Sequence, residues 1–343
     1  MIGRAASALR RRVSGRVRQW TRTRTLRNYA FHYERVLGTS LELQVVATDE
    51  ITARRAEAAV LAEVDRLEQI LSGYLAGSEL SHWQAQHELL VEVSPDLADV
   101  LAAAEWWRTF TSGAFNPAVV SLVDLSCEPS SHEAPRAWTD DASRRGAIRD
   151  RLHAMRQPLW TVNRARAQAC RLTQLRVSLD GIAKGYVVDK AAERAASIDG
   201  VTQVLVNIGG DLRHVGTRPL TVSVAHPHAP AENAPPLSMV RLTGEALATS
   251  GGYHRPLTIG GRNVSHILDP RTGRPASNVI SASAIAPDCA SADALSTAFS
   301  VLTPRQSVAL ADSLPNVACL IVERDGAITS NSAWWSRATG KRP

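Results

Sequence analysis

The sequence predicts an α+β fold of layered, mostly antiparallel sheets with flanking helices. Three observations lead there. Hairpin-like strand pairs recur, most clearly where Gly209-Gly210 joins Val201–Ile208 to Leu212–Val215. Amphipathic helices interrupt these strands without the regular strand–helix alternation of a doubly wound parallel sheet. The chain has 343 residues, 44% of them hydrophobic, enough for a substantial core in one large domain or two lobes.

In chain order, Leu41–Thr48 alternates as a strand, and Thr52–Leu71 is an amphipathic helix with Ala59, Val60, Val64, Leu67, Ile70 and Leu71 inward and Thr52 as N-cap. Ser78-Glu79-Leu80-Ser81 starts a short helix, and Pro95–Thr109 is another with Pro95 in its first turn. Residues 128–158 are polar, hold Pro129, Pro135 and Pro158, and read as an inserted loop plus a surface helix. A strand runs toward Val177, and a turn through Asp180-Gly181 leads into a helix from Ala183 to Ser197. Further strands are expected at Leu220–Val224, Ser238–Leu242, Val264–Leu268, Ile280–Ala286 and Ala318–Val322, with helices around Asp293 and over Gln306–Ser313. The proline-rich stretch Ala229–Pro236 is an exposed linker.

The net charge of +6 is unevenly spread. Nine of the 39 Lys and Arg fall in residues 1–27, which hold no acid; the other 30 face 33 Asp and Glu, leaving the body near −3. The basic segment, residues 1–28, can meet anionic lipid, or it is a disordered leader or an artefact of start-codon choice; the plainer readings are preferred. Nucleic acid is not expected, because no aromatic-bearing basic fold stands behind it. No apolar region follows Arg10-Arg11-Arg12 and no apolar run approaches ~20 residues, so neither export signal nor membrane span is expected. The expected location is cytoplasmic, with the arginine segment available to the inner face of the membrane. Cys127, Cys170, Cys289 and Cys319 show no paired spacing and read as free thiols.

Asp293 and Thr297 are four apart in a helical stretch, so a carboxylate and a hydroxyl share one face. Both are hard oxygen donors suited to Mg²⁺ or Ca²⁺; alone the pair more often decorates a helix. Gly181-Ile-Ala-Lys184-Gly185 offers free N–H groups at a helix start, plus one lysine, to an anion such as a diphosphate, or is a glycine turn with a solvated lysine. Asn207-Ile-Gly-Gly-Asp211 is a hairpin turn or a place of close ligand approach, and Ala248-Thr249-Ser250-Gly251 a further turn. His266 can take a proton from a hydroxyl or be structural. Asp269 and Arg271 can simply build an Asx turn with an ion pair. No Walker loop, G-x-G-x-x-G, G-x-S-x-G or H-E-x-x-H is present.

In this order the motifs resemble the bacterial FAD:protein FMN transferase (ApbE-like) family. Tyr33–Thr39, Ser78-Glu79-Leu80-Ser81 and Gly113-Ala114-Phe115-Asn116-Pro117 resemble its opening, S-E-x-S and G-x-F-D-P segments. The lysine-glycine helix start, N-x-G-G-D hairpin, T-S-G turn, H-x-x-D-P-x-T-G stretch and A-D-A-L-x-T helix follow, so the likeness spans about His32 to Ser330. The resemblance implies two intimately packed lobes in one domain over 29–335, followed by a short C-terminal tail at 336–343. It implies Mg²⁺ held by Asp293, Thr297 and the carbonyl of Gly181. FAD would lie against Ala114, Phe115, Asn116, Ser178, Asp180, Lys184, Ser250, Gly251 and Ile267. His266 and Asp293 would be catalytic, with FMN passing from FAD to a threonine or serine of a target protein and AMP released. FAD hydrolysis and flavin carriage without turnover are the alternatives. Ser178-Leu179-Asp180-Gly181 replaces the family's D-L-G-G, Asn116 its aspartate, Gln84 a common asparagine, and Ala290 an aspartate of some members. Thr111-Ser112-Gly113-Ala114 precedes Phe115 where an acceptor motif needs a hydroxyl, so self-flavinylation is not expected.

Overall fold

The structure is a computed structural model that describes residues 26–126, 142–228, 234–251, 257–259, 262–264, 268–276 and 278–340. The basic segment up to Thr25, Cys127, the first half of the expected insertion, and His266 with Ile267 lie outside the described residues.

The chain opens with the hairpin β1 (Arg27–Val36) and β2 (Thr39–Ala47), then α1 (Glu50–Leu71), α2 (Glu79–Gln84), β3 (Leu90–Glu92) and α3 (Pro95–Phe110). α4 (Val120–Ser126), α5 (Ala142–Ala154), β4 (Trp160–Asn163) and β5 (Gln168–Arg171) lead to α6 (Ala183–Ala196). Then come β6 (Val201–Ile208), β7 (Asp211–Val215), β8 (Leu220–Val224), β9 (Ser238–Leu242), β10 (Ala246–Gly251), β11 (Leu257–Ile259), β12 (Arg262–Val264) and β13 (Val279–Ala286). α7 (Cys289–Phe299), α8 (Pro304–Asp312), β14 (Ala318–Glu323), β15 (Ile328–Ser330) and α9 (Ser332–Trp335) complete it. Eight strands form one sheet in the order β1-β2-β6-β7-β10-β13-β14-β15, with antiparallel neighbours throughout. The α+β expectation holds.

Period-two alternation builds a core on each face of this sheet. Val204, Val206 and Ile208 of β6, Ala246 and Ala248 of β10, and Ala282, Ala284 and Ala286 of β13 join the larger core, under α1, α6, α7 and α8. The intervening Leu205, Leu247 and Ile285 join the smaller core, under the β8–β9 hairpin and α9 with its buried Trp334. The run of alanines beneath α7 lets that helix lie close to β10 and β13, where larger side chains would hold it away.

Three local expectations are corrected. The cap of α1 is Asp49, whose carboxylate accepts the Thr52 N–H at 2.8 Å, so Thr52 is already inside the helix. No strand runs to Val177: β4 and β5 form a hairpin ending at Arg171, and the groups beyond it bond elsewhere. The Leu175 N–H goes to the Thr173 hydroxyl, the Leu175 carbonyl accepts from Arg171, and the Ser178 N–H goes to the Pro117 carbonyl. Ala248–Gly251 is not a turn but the end of β10, paired with β13 from Ala246↔Ala286 to Gly251↔Ser281. The Gly209-Gly210 turn is as expected, with both φ positive at 61° and 96°. Cys289 and Cys319 are buried free thiols, and Cys170 is a half-buried one.

Candidate functional site

α6 begins without a side-chain cap, and its first turn faces α7. Gly185 is the reason the two helices can touch: a Cβ there would lie 2.3 Å from the Cys289 carbonyl oxygen. At that contact the Gly185 N–H donates to Asp293 Oδ2 at 3.2 Å. One turn earlier, a Cβ on Gly181 would meet Thr297 Oγ1 at 3.0 Å and the Phe115 ring at 3.3 Å. One turn later, Asp189 accepts the N–H groups of Cys289 at 2.8 Å and Ala290 at 2.9 Å. Positions 181, 185 and 189 thus face 297, 293 and 289 in an antiparallel ladder at i, i+4 spacing. The expected pairing of Asp293 with Thr297 on one face is met, and Gly181 stands beside them.

The second carboxylate comes from the sheet. Asp211 follows the glycine turn at the start of β7, is 1% exposed, and lies 2.8 Å from Lys184 Nζ. Asp293 is 4% exposed. Burial, then the neighbouring Asp211, push the Asp293 carboxyl well above the usual carboxylate range, and Lys184 and the Gly185 N–H only partly oppose them. Burial also raises Asp211. Burial works against the charge on Lys184, but Asp211 and Asp293 outweigh it and its pKa is raised. Among the described residues two buried carboxylates therefore share one lysine, leaving one negative charge with a single backbone hydrogen bond. Such a charge costs several kcal/mol unless a cation or a proton joins it.

At the helix start three of the N–H groups are already bonded. Those of Ile182 and Ala183 bond to the Leu179 carbonyl, and that of Gly185 to Asp293. Lys184 is likewise paired, so the solvated-lysine reading is also set aside.

Phe115 and Ala114 are buried beside this ladder, with the Phe115 N–H held by Thr111 Oγ1 at 3.0 Å. Asn116 is turned to structural use: Oδ1 accepts the Ala118 N–H, and Nδ2 donates to the Met155 carbonyl. Ser250 Oγ lies 2.8 Å from Ser296 Oγ, which donates to the Asp293 carbonyl, so β10 is tied to the Asp293 turn of α7; half-buried Gly251 ends that strand. Ser178 Oγ accepts the Asp180 N–H, and Asp180 accepts from the Tyr74 hydroxyl at 2.7 Å. Ser178, Asp180 and Tyr74 line a cleft of about 210 Å³ next to Gly181. Asp269 and Arg271 form the expected Asx turn and ion pair, with Arg271 Nη2 at 2.9 Å from Asp269 Oδ2.

Sequence reasoning passed over Tyr74, Asp189 and the charge of Asp211. Asp189 was findable, since it continues the Gly181–Gly185 spacing by four. Asp211 was findable by strand parity, which turns it and Arg213 away from Leu212. Tyr74 is separated from Asp180 by 106 positions and left no local signal.

Among the described residues no three His, Cys, Asp or Glu gather as a metal cluster. An ion between α6 and α7 would take one carboxylate, one hydroxyl and a backbone carbonyl. That all-oxygen set and the surplus negative charge fit a hard divalent cation, and the missing Cβ at Gly181 gives its backbone access to Thr297.

The fold and this site define an α+β protein with two buried carboxylates and one lysine held between two helices and an antiparallel sheet. Residues 37–321 match the model of the ApbE family. The chain is 30% identical to the FAD:protein FMN transferase of Salmonella typhimurium over 281 residues, covering 78% of this chain and 77% of that one. It is 28% identical to the protein of the same name from Haemophilus influenzae over 308 residues, covering 86% and 85%. The ApbE protein of Thermotoga maritima superposes with a TM-score of 0.76 at 28% identity, over 92% of this chain and all of that one. The chain belongs to the ApbE family and is a transferase.

Proposed function

We propose that this protein transfers FMN from FAD to a threonine or serine hydroxyl of a target protein, with Mg²⁺ bound, releasing AMP. The observation that carries the reading is the buried Asp293 carboxylate, short of positive charge and set one turn from Thr297 opposite Gly181. The names of the matched relatives support the substrate and the kind of acceptor.

Asp293, Thr297 and the Gly181 carbonyl would hold the ion. Bound there, Mg²⁺ supplies charge neutralisation and a fixed place for a diphosphate. Lys184, fixed by Asp211, adds a positive charge beside it. The Ala114–Asn116 segment, Ser178, Asp180, Ser250, Gly251 and Ile267 would border FAD. The acceptor oxygen bonds to the phosphorus of the FMN half, and its proton passes to His266. The bond from that phosphorus to the bridging oxygen breaks, and the electron pair leaves with AMP.

The test incubates the protein with FAD, Mg²⁺ and a candidate acceptor protein. The expected result is an acceptor heavier by one FMN with matching AMP, lost in Asp293→Ala. AMP without a modified acceptor would make the protein a FAD hydrolase. His266→Ala should keep FAD binding and slow transfer.

A further inference from the structure

Asp189 is buried near the middle of α6 and touches no residue assigned to flavin or metal. Its carboxylate takes the first two N–H groups of α7: that of Cys289 reaches both oxygens at 2.8 Å, and that of Ala290 reaches Oδ2 at 2.9 Å. Asp288 takes the next one, from Ser291, at 2.7 Å. Arg213 Nε stands 3.5 Å from Asp189 Oδ1 and ties the carboxylate to β7, the strand that also carries Asp211.

These contacts fix both the height and the rotation of α7. A helix held only by its apolar face can slide or turn by a fraction of a residue; one whose first amides are clamped from a neighbouring helix cannot. Cys289, Asp293 and Thr297 follow one another at i, i+4, so whatever fixes Cys289 also fixes the two oxygen donors along that stripe. The contact at Gly185 leaves no slack, because the Cys289 carbonyl occupies the space of a side chain there.

We infer that Asp189 is a positioning residue for the metal site, setting the register of α7 against α6 so that the Asp293 carboxylate and Thr297 hydroxyl converge opposite Gly181. The inference rests on the metal reading above. Residues that orient metal ligands without touching the ion typically change affinity by about 10–100-fold when removed.

The test uses the full chain and Mn²⁺ alone as probe, followed by electron paramagnetic resonance. Asp189→Ala should raise the Mn²⁺ dissociation constant by about 10-fold. Asp189→Asn, which keeps one acceptor oxygen for Cys289, should fall between Asp189→Ala and wild type. Transfer at saturating metal should stay within about twofold of wild type, so the defect lies in half-saturation and not in turnover. Amide exchange in the metal-free variants should quicken at Asp293 and Thr297. A merely structural role would lower the melting temperature and leave the folded protein's affinity and those amides unchanged. Both variants folded, with Mn²⁺ affinity and exchange as in wild type, would overturn the inference; if Asp189→Ala does not fold, Asp189→Asn decides alone. Wild-type protein that binds no Mn²⁺ sinks the metal reading instead, and amide exchange then judges Asp189 by itself.

Discussion

The same strands of the central sheet supply two faces of opposite character. Toward α6 and α7 the buried set includes Lys184's partner Asp211, with Asp293 and Asp189 packed against it from the helices. Toward β8, β9 and α9 it is Leu205, Leu212, Leu247, Ile285, Leu320 and Trp334. A buried polar group near that side, His214, receives the Gly244 N–H on Nδ1, and burial lowers its pKa. Trp334 directs its single polar hydrogen to Ser238 Oγ at 3.2 Å. That face gains stability from apolar contact, with His214 Nε2 as a buried polar atom that has no hydrogen-bond partner among the described residues. The other keeps a charge unmatched, which lowers stability until something positive arrives. A strained electrostatic arrangement on one side is tolerated because the other side is conventional.

The comparison breaks first at Asp293. Asp293→Ala should lower transfer by at least about 10²-fold, the usual scale for losing one preorganised charge-stabilising group. The metal-free protein should melt no lower than wild type, because the substitution removes the surplus carboxylate and leaves the Asp211–Lys184 pair intact. A clear loss of stability without metal would show that the carboxylate is matched after all.

Trp334→Ala tests the opposite face. It should destabilise by about 3–5 kcal/mol, read from chemical denaturation, while transfer per folded molecule changes less than twofold. Loss of activity in the folded protein would mean that the two faces are coupled through β10 or β13.

Gly185→Ala sets helix propensity against packing. Alanine in place of glycine favours a helix by about 1 kcal/mol. Here the added carbon would meet backbone at 2.3 Å, and overpacking of that kind costs about 1–3 kcal/mol. Packing wins, so the variant should be less stable and bind Mn²⁺ more weakly. A more stable variant would show that α6 and α7 part easily.

Most strands were legible because they alternate; β6 of the central sheet and β8 and β9 of the separate hairpin have the expected limits. β10 was misread as a turn because Ala-Thr-Ser-Gly has small residues and weak strand preference. Its conformation comes from β7 and β13 on either side, which the local sequence does not contain. The cap of α1 was misplaced by three residues because threonine and aspartate both cap, and only the geometry gives the role to Asp49. At the site, Asp293 and Thr297 were readable from helical spacing. Lys184 was seen as a lysine but not as a paired one, since its partner arrives from a hairpin 27 positions away. Spacing reveals what one element presents; charge balance needs the neighbours of that element.

The smallest expected effect is a pH slope, and Asp189 supplies it. Burial raises its pKa from 3.8 to about 7, against the amides of Cys289 and Ala290 that lower it. Between those two values the folded protein holds a proton that the unfolded chain has released. Stability contributed by this group therefore falls as pH rises from about 4 to about 7 and is flat beyond. Asp293, raised by burial and Asp211, adds a slope of the same sign. Asp96 opposes it, because the hydrogen bonds from Arg66 and Tyr186 overcome its own burial and lower its pKa. The total slope of the metal-free protein thus mixes signs, and a single melting curve cannot assign it. The difference between wild type and Asp189→Asn can, since asparagine does not titrate. The gap between melting midpoints taken without metal from pH 4.5 to 8 should change with pH, with wild type losing more toward neutrality. Parallel curves would place Asp189 among the matched groups, and the contrast between the two faces would then rest on Asp293 and Asp211 alone.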